Sequence, residues 1–215
     1  IFVEESISQV RFALFISMLL VIAVIYFFLS SSSATFIPAI TIPVSIISTF
    51  YIIYLFGFSL NVLTFLALVL AIGLIVDDSI VVLENIKRRI ENGEEPYQAS
   101  IIGAKQITFV VIATTLVLVS VFLPLSFMDG KTGRLFIEFG VVLSFAVIFS
   151  SIVALTLTPM LCSKLLKSKS SQDCEPPILI KFRTFYKNSL IISQRQPKKV
   201  YMFSIVMILL ATLLF

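Results

Sequence analysis

The stretch VLAIGLIVDDSIVVLENI, residues 69–86, decides how this sequence is interpreted. Two aspartates, Asp77 and Asp78, stand side by side in a run that is otherwise almost wholly apolar. An apolar segment of about 20 residues is long enough to cross a hydrocarbon core of ~30 Å. Placing one aspartate near the centre of such a span costs roughly 2.5–3.5 kcal/mol on insertion scales. We therefore expect the pair to have a function that justifies this cost.

The rest of the chain has the same apolar character. Hydrophobic residues make up 59% of its 215 residues and charged residues only 13%, which excludes an ordinary soluble domain. The composition predicts an all-α polytopic membrane protein, a bundle of five or six transmembrane helices. The predicted spans are residues 10–29, 36–56, 62–83, 107–127, 136–161 and 199–215.

Three parts follow from these spans. Residues 1–161 form a first transmembrane bundle, residues 162–198 form a Lys- and Ser-rich linker, and residues 199–215 begin a further span. Within the linker, apolar and basic side chains alternate over residues 178–192, which is typical of an amphipathic helix in the membrane interface. The sequence starts without Met and stops inside an apolar run, so we expect a piece of a longer protein.

The connection between the third and fourth spans, residues 84–106, is charged. Its pattern predicts a helical continuation of the third span, a break at Gly93 and a second short helix.

Basic residues orient the predicted bundle. The third connection carries Lys87, Arg88, Arg89 and Lys105, and nine Lys and Arg lie between residues 164 and 199. The opposite side carries only Arg11, Lys131 and Arg134. The positive-inside rule therefore places the basic side in the cytoplasm. These loops account for the net charge of +4, so no nucleic-acid partner is expected.

The carboxylate pair itself suggests proton coupling. Neighbouring residues on a helix diverge by about 100°, so Asp77 and Asp78 can line one broad interior face. Gly73, one turn earlier, would allow a close approach of another helix there. Burial and like charge both oppose ionisation of the whole pair, so one carboxyl group can take up and release a proton near neutral pH. A proton-coupled transporter requires such a group.

The compensating cation has to come from outside this sequence, because no Lys or Arg lies within the core of a complete span. The chain offers hydroxyl and amide groups instead: Asn61, Thr64, Thr114, Thr115 and Ser120. Two alternatives stay open, namely a hydrogen-bonded structural pair and a sodium site. A transition-metal site is disfavoured by the absence of His. Enzyme chemistry is not expected either, since no Ser or Cys sits beside a credible base and no P-loop is present.

Several separate motifs resemble one known family. LAIGLIVDDSIVVLENI is similar to the fourth transmembrane helix of resistance–nodulation–division (RND) transporters of the hydrophobe/amphiphile multidrug efflux branch. ATFIPAITIPVSIISTF resembles the third helix of that family, and FGFSLNVLTF its entry into the fourth. VFLPLSFMDGKTGRLFIEF resembles the connection from the fifth to the sixth helix, and ALTLTPMLC the end of the sixth. The resemblance covers nearly the whole chain, with the motifs in the family's order.

The resemblance implies that the chain runs from the second helix to the start of the seventh in a twelve-helix transporter. It implies a homotrimeric pump of the bacterial inner membrane that exports hydrophobic or amphiphilic small molecules by proton antiport. Such pumps work with a periplasmic adaptor and an outer-membrane channel. Asp77 and Asp78 would be the proton-relay carboxylates, with protons as the coupling ion and no other cofactor. The second half of the transporter, which is absent here, would supply the partner lysine.

A different class of function is also open. The chain could be an inactive remnant or an isolated half that acts only as an assembly subunit in the membrane.

Overall fold

The computed structural model describes residues 2–29, 31–128, 130–166 and 177–214. Within these ranges the chain is mainly helical and contains no strand, which confirms the predicted all-α class. The helices are α1 (Phe2–Leu29), α2 (Ser32–Leu55), α3 (Val62–Glu91), α4 (Pro96–Phe122), a 3₁₀ helix (Leu123–Phe127), α5 (Gly130–Leu165), α6 (Pro177–Arg195) and α7 (Pro197–Leu214).

Five of the described helices contain segments that are long and apolar enough to cross a membrane. These segments are Ser8–Leu29, Ser32–Leu55, Val62–Glu91, Pro96–Phe127 and Phe136–Leu165. Each of the first five predicted spans overlaps one of them. The apolar run in α7, Val200–Thr212, is shorter than a full span, and the predicted sixth span extends to residue 215, beyond the described residues.

The connection between α3 and α4 corrects one prediction. A break is present at Gly93, whose φ of 95° is in the left-handed region that favours glycine. The predicted second short helix is wrong, because residues 96–106 are simply the first turns of α4. Pro96 occupies the first turn, where proline needs no helical partner for its missing N–H. From there the helix runs unbroken to Phe122.

The chain divides into two compact units, residues 1–172 and 173–215. The second unit contains α6 and α7, which contact each other. In α6 the described side chains from Lys181 onward are exposed, including Phe185 and Tyr186. The location of the predicted 178–192 helix in the membrane interface stays a prediction, and the side chains of Phe182 and Arg183 lie outside the described residues.

In the first unit, α3 lies at the centre of the bundle and contacts α1, α2, α4 and α5. Its buried face combines small residues such as Ala67 and Ala71 with the fully buried Leu68, Ile72 and Ile75. Small residues let helices approach closely in a membrane, where van der Waals packing holds helices together. A second face of α3 is exposed along its length and carries Leu66, Leu70, Gly73, Asp77 and Val81.

Candidate functional site

The two aspartates of α3 have different surroundings. Asp78 is partly buried and turns toward α5, where its Oδ2 accepts a hydrogen bond of 3.0 Å from the Ser150 hydroxyl. Asp77 lies on the exposed face of α3. Because consecutive helical residues diverge by about 100°, one carboxylate is bound inside the bundle while its neighbour stays open.

Ser150 has two acceptors for its single hydroxyl proton. Besides Asp78, the Ile75 carbonyl oxygen lies 3.3 Å from the Ser150 Oγ, and the serine is buried. A hydroxyl donates one hydrogen bond at a time, and a bond to an ionised carboxylate is the stronger one. Protonation of Asp78 would weaken it as an acceptor and favour the Ile75 carbonyl. The acceptor on α3 that Ser150 binds would therefore depend on the protonation state of Asp78.

A cavity of about 80 Å³ lies between α3 and α4 at the level of the pair. Its lining residues are Leu74, Asp77, Asp78 and Val81 from α3, and Val110, Val111, Thr114 and Leu118 from α4. The cavity has both carboxylates on one wall and is large enough for water molecules, which need polar partners of this kind.

Of the five hydroxyl and amide residues predicted to be available, only Thr114 lines this cavity. Its hydroxyl donates to carbonyls of its own helix, at 2.9 Å to Val111. Thr115 and Ser120 likewise bond to their own helix. Asn61 and Thr64 cap the first turn of α3, far from the pair along the helix.

Ser150, which actually binds Asp78, was not among the residues singled out from the sequence. The available signal was weak: Ser150 and Ser151 are adjacent hydroxyls in an apolar span. Nothing in the sequence tells which of them turns toward α3, because this depends on how the two helices are rotated against each other.

Gly73 does not make the predicted close approach within the described residues. It is exposed, and a Cβ added to it would meet nothing within 4 Å. The prediction remains open for a helix from outside this chain. A close approach occurs instead at Gly103 of α4, where a Cβ would lie 2.9 Å from Ile86 Cγ1 and 3.4 Å from the Ile86 Cα.

The described side chains supply no cation to the aspartate pair. Their ion pairs, Lys87–Glu91 and Arg89–Glu94, lie near the end of α3. Nor do the described residues contain a cluster of three or more His, Cys, Asp or Glu side chains that could hold a metal ion. The source of the compensating charge stays a prediction.

Near its end, α3 is tied to α4 by neutral and charged side chains. The Asn85 amide donates to the Gly103 carbonyl at 2.9 Å, and the Arg89 guanidinium donates to Gln106 Oε1 at 3.3 Å. Arg89 also pairs with Glu94. These contacts and the missing Cβ of Gly103 hold α3 and α4 together just beyond the cavity.

At its start, α3 is tied to α5 through a third carboxylate, Glu138, which the sequence reasoning passed over although it lies inside a predicted span. The Ser59 hydroxyl donates to Glu138 at 3.2 Å, and the Asn61 amide donates to its Oε2. The backbone N–H of Ser59 lies 3.4 Å from Oε1.

A membrane helix bundle with two adjacent carboxyl groups inside a span defines a class, the polytopic proteins that carry ionisable groups within the membrane. The comparison with known families is more specific. The model of the AcrB/AcrD/AcrF family matches residues 1–215. The chain belongs to this family, whose members are RND multidrug efflux transporters.

Individual proteins that are similar to this chain have names that agree with this family. Multidrug resistance protein MdtC of Pectobacterium atrosepticum is 52% identical over 166 residues, which is 77% of this chain and 16% of that protein. MdtC of Photorhabdus laumondii is 48% identical over 192 residues, 89% of this chain and 18% of the relative. MdtC of Escherichia coli is 49% identical over 171 residues, which is 80% of this chain and 17% of that protein. The chain thus spans about a sixth of the length of these curated relatives.

Proposed function

We propose that this chain is the part of a drug/proton antiporter in which Asp77 and Asp78 carry the coupling protons. The single observation that supports this most directly is the asymmetry of the pair. Asp78 is partly buried and bound to Ser150 across the α3–α5 contact, while Asp77 lies on the exposed face of α3, and both line the cavity beside α4. Asp77 can thus exchange protons, while the charge of Asp78 determines the strength of its hydrogen bond to α5.

In the proposed cycle, a proton and an external cation compete for the pair. Two adjacent carboxylates cannot both stay ionised in a poorly solvated site unless a cation compensates them. When the cation withdraws, proton uptake neutralises the pair. The hydrogen bond from Ser150 to Asp78 then weakens because its acceptor is no longer charged. The packing of α5 against α3 changes, and this change would be passed to the parts of the pump that move substrate.

Membership of the family supports a proposal for the surroundings of the whole pump. We propose that the complete protein lies in the inner membrane as a homotrimer, with a periplasmic adaptor and an outer-membrane channel as partners. The second half of the transporter would supply the cation for Asp77 and Asp78. The relatives are named multidrug resistance proteins, so hydrophobic or amphiphilic drugs are the proposed substrates.

The test is drug transport by the full-length transporter in proteoliposomes, driven by an imposed proton gradient. We expect Asp77→Asn and Asp78→Asn to abolish transport, because a neutral amide cannot release a proton. Glu95→Gln is the matched control, since Glu95 is an exposed acid whose side chain makes no capping bond at the start of α4. Normal proton-driven transport by either aspartate variant would contradict the proposal. So would transport that follows a sodium gradient and ignores the proton gradient.

A further inference from the structure

Glu138 is a partly exposed acid that the proposed relay does not use, and three donors converge on it. The Ser59 hydroxyl lies 3.2 Å from both Glu138 oxygens, the Ser59 backbone N–H lies 3.4 Å from Oε1, and the Asn61 amide donates to Oε2. Among the side chains that the structure describes, no lysine or arginine pairs with this carboxylate. Glu138 therefore acts as an acceptor for neutral groups that all belong to the segment entering α3.

The contact with Asn61 reaches the helix itself. Asn61 is the N-cap of α3, and its Oδ1 accepts hydrogen bonds from the backbone N–H groups of Leu63 and Thr64 at 2.9 and 3.0 Å. The amide nitrogen of the same side chain donates to Glu138. One side chain thus joins the first turn of α3 to α5, and a loss of Glu138 would release the start of the helix as well as the loop.

Glu138 also lies on a part of α5 that packs closely against its neighbours. Two residues further on, a Cβ added to Gly140 would lie 2.8 Å from the Phe122 carbonyl oxygen and 2.9 Å from the Ser126 Oγ. Here α5 packs closely against the end of α4 and the 3₁₀ helix. Because little space is left for sliding, Glu138 provides α3 with a firm point of attachment.

The second polar contact between α3 and α5 is the Asp78–Ser150 hydrogen bond, roughly 25 Å further along α3 at 1.5 Å per residue. A slip of one residue would turn Asp78 by about 100° and remove it from Ser150. The apolar side chains between the two contacts interdigitate and favour one alignment. The bonds at Glu138 restrict the alignment further, because each requires a particular donor–acceptor geometry.

We propose that Glu138 is a positioning residue of the transporter. By holding Ser59 and Asn61 it fixes the start of α3 against α5, and it keeps Asp78 in register with Ser150 while the aspartate pair changes its protonation state. This inference rests on the proposed function, because it assigns Glu138 a role in the work of that pair.

The experiment uses the full-length transporter in proteoliposomes, with Glu138→Gln as the variant and Glu95→Gln as the matched loss of an exposed acid. The Gln amide group would face the Asn61 amide and break the convergence of donors. We expect kcat for proton-driven transport to fall about tenfold, since the lost bonds are to a charged acceptor. KM for the drug should stay within about twofold. The pH profile of kcat should shift. Glu95→Gln should match the parent protein in kcat, in KM and in the pH profile of kcat.

A double-mutant cycle separates positioning from a general structural role. If Glu138 acts through the Asp78–Ser150 contact, Glu138→Gln combined with Ser150→Ala should be no slower than the slower single variant. Effects that simply multiply would overturn the inference. So would a Glu138→Gln protein that is less abundant or melts earlier but keeps the parent kcat and pH profile per folded molecule.

The outcome for the proposed function is read separately from the aspartate variants. If Asp77→Asn and Asp78→Asn both abolish transport while Glu138→Gln behaves like the parent, only the positioning role is overturned. If the aspartate variants transport normally, the relay is overturned and the positioning role falls with it.

Discussion

Helix α3 contacts α4 and α5 closely at different points along its length. Against α4, the helix is close near its end, at Gly103 and Ile86, and separates to leave the cavity at the level of the aspartates. Against α5, it is tied at its start by Glu138 and again at Asp78 by Ser150. The carboxylate pair thus lies at the place where α3 leaves one neighbour and stays bound to the other. This explains how two adjacent, chemically identical side chains acquire different surroundings.

The largest expected effect concerns the close contact with α4. Gly103→Leu should lower the free energy of unfolding by about 1–3 kcal/mol, because the new side chain has no room beside Ile86. Gly73→Leu is the matched control, since the space around Gly73 is open in this chain. Denaturant unfolding of the 215-residue chain in detergent micelles measures both.

The Gly73 control also tests an open prediction. In the full-length transporter, Gly73→Leu should become destabilising if a helix from outside this chain packs there. Equal stability of the two glycine variants in the 215-residue chain would contradict the packing described for Gly103.

The next effect concerns the contact with α5. Ser150→Ala should lower proton-driven transport by the full-length protein about tenfold, because Asp78 loses a hydrogen bond to its charged form. Ser151→Ala is the control, since that neighbouring buried hydroxyl donates to Ile148 of its own helix. Initial rates of drug uptake into inverted vesicles would show the difference. Equal losses in both variants would mean that any hydroxyl in this part of α5 matters only for packing.

The smallest effect is expected on the cavity wall formed by α4. Thr114→Val keeps the shape of the side chain, and the Thr114 hydroxyl already bonds to carbonyls of its own helix. Transport should therefore stay within about threefold of the parent, because no hydrogen bond to the aspartates is lost. A loss as large as that of Ser150→Ala in the same vesicle assay would show that α4 contributes directly to the relay.

The sequence predicted the bundle well and drew attention to the aspartate pair, whose role stays a prediction, because both depend on quantities that a sequence contains. Apolar length marks a span, and a charge inside a span is costly enough to stand out. Asp77 and Asp78 were recognised in this way. Ser150 was not, since a hydroxyl in a span costs little and its partner depends on helix rotation. Glu138 lies two residues inside its candidate span, near the edge, where a single acid attracts little attention.

Glycine was harder to interpret. Gly73 stands next to the aspartates and was expected to mark a close approach, whereas Gly103 lies where a separate short helix was expected. In the structure, Gly103 is the one in close contact, because α4 continues without a break through that position. Sequence spacing gives the face on which a glycine lies but not whether a neighbour occupies that face.

The double role of Asn61 restricts which amino acids this position can accept. Asp, Ser or Thr would cap the helix about as well as Asn, since each offers the required acceptor oxygen. None of them has, beside that oxygen, an amide nitrogen that could donate to Glu138. An Asp would also place a second carboxylate next to Glu138, and the two would repel each other. Helix capping alone would permit several residues here, but capping and the bond to α5 together leave asparagine. The residue that a relative has at the position of Asn61 would therefore indicate whether its α3 can be attached to α5 in the same way.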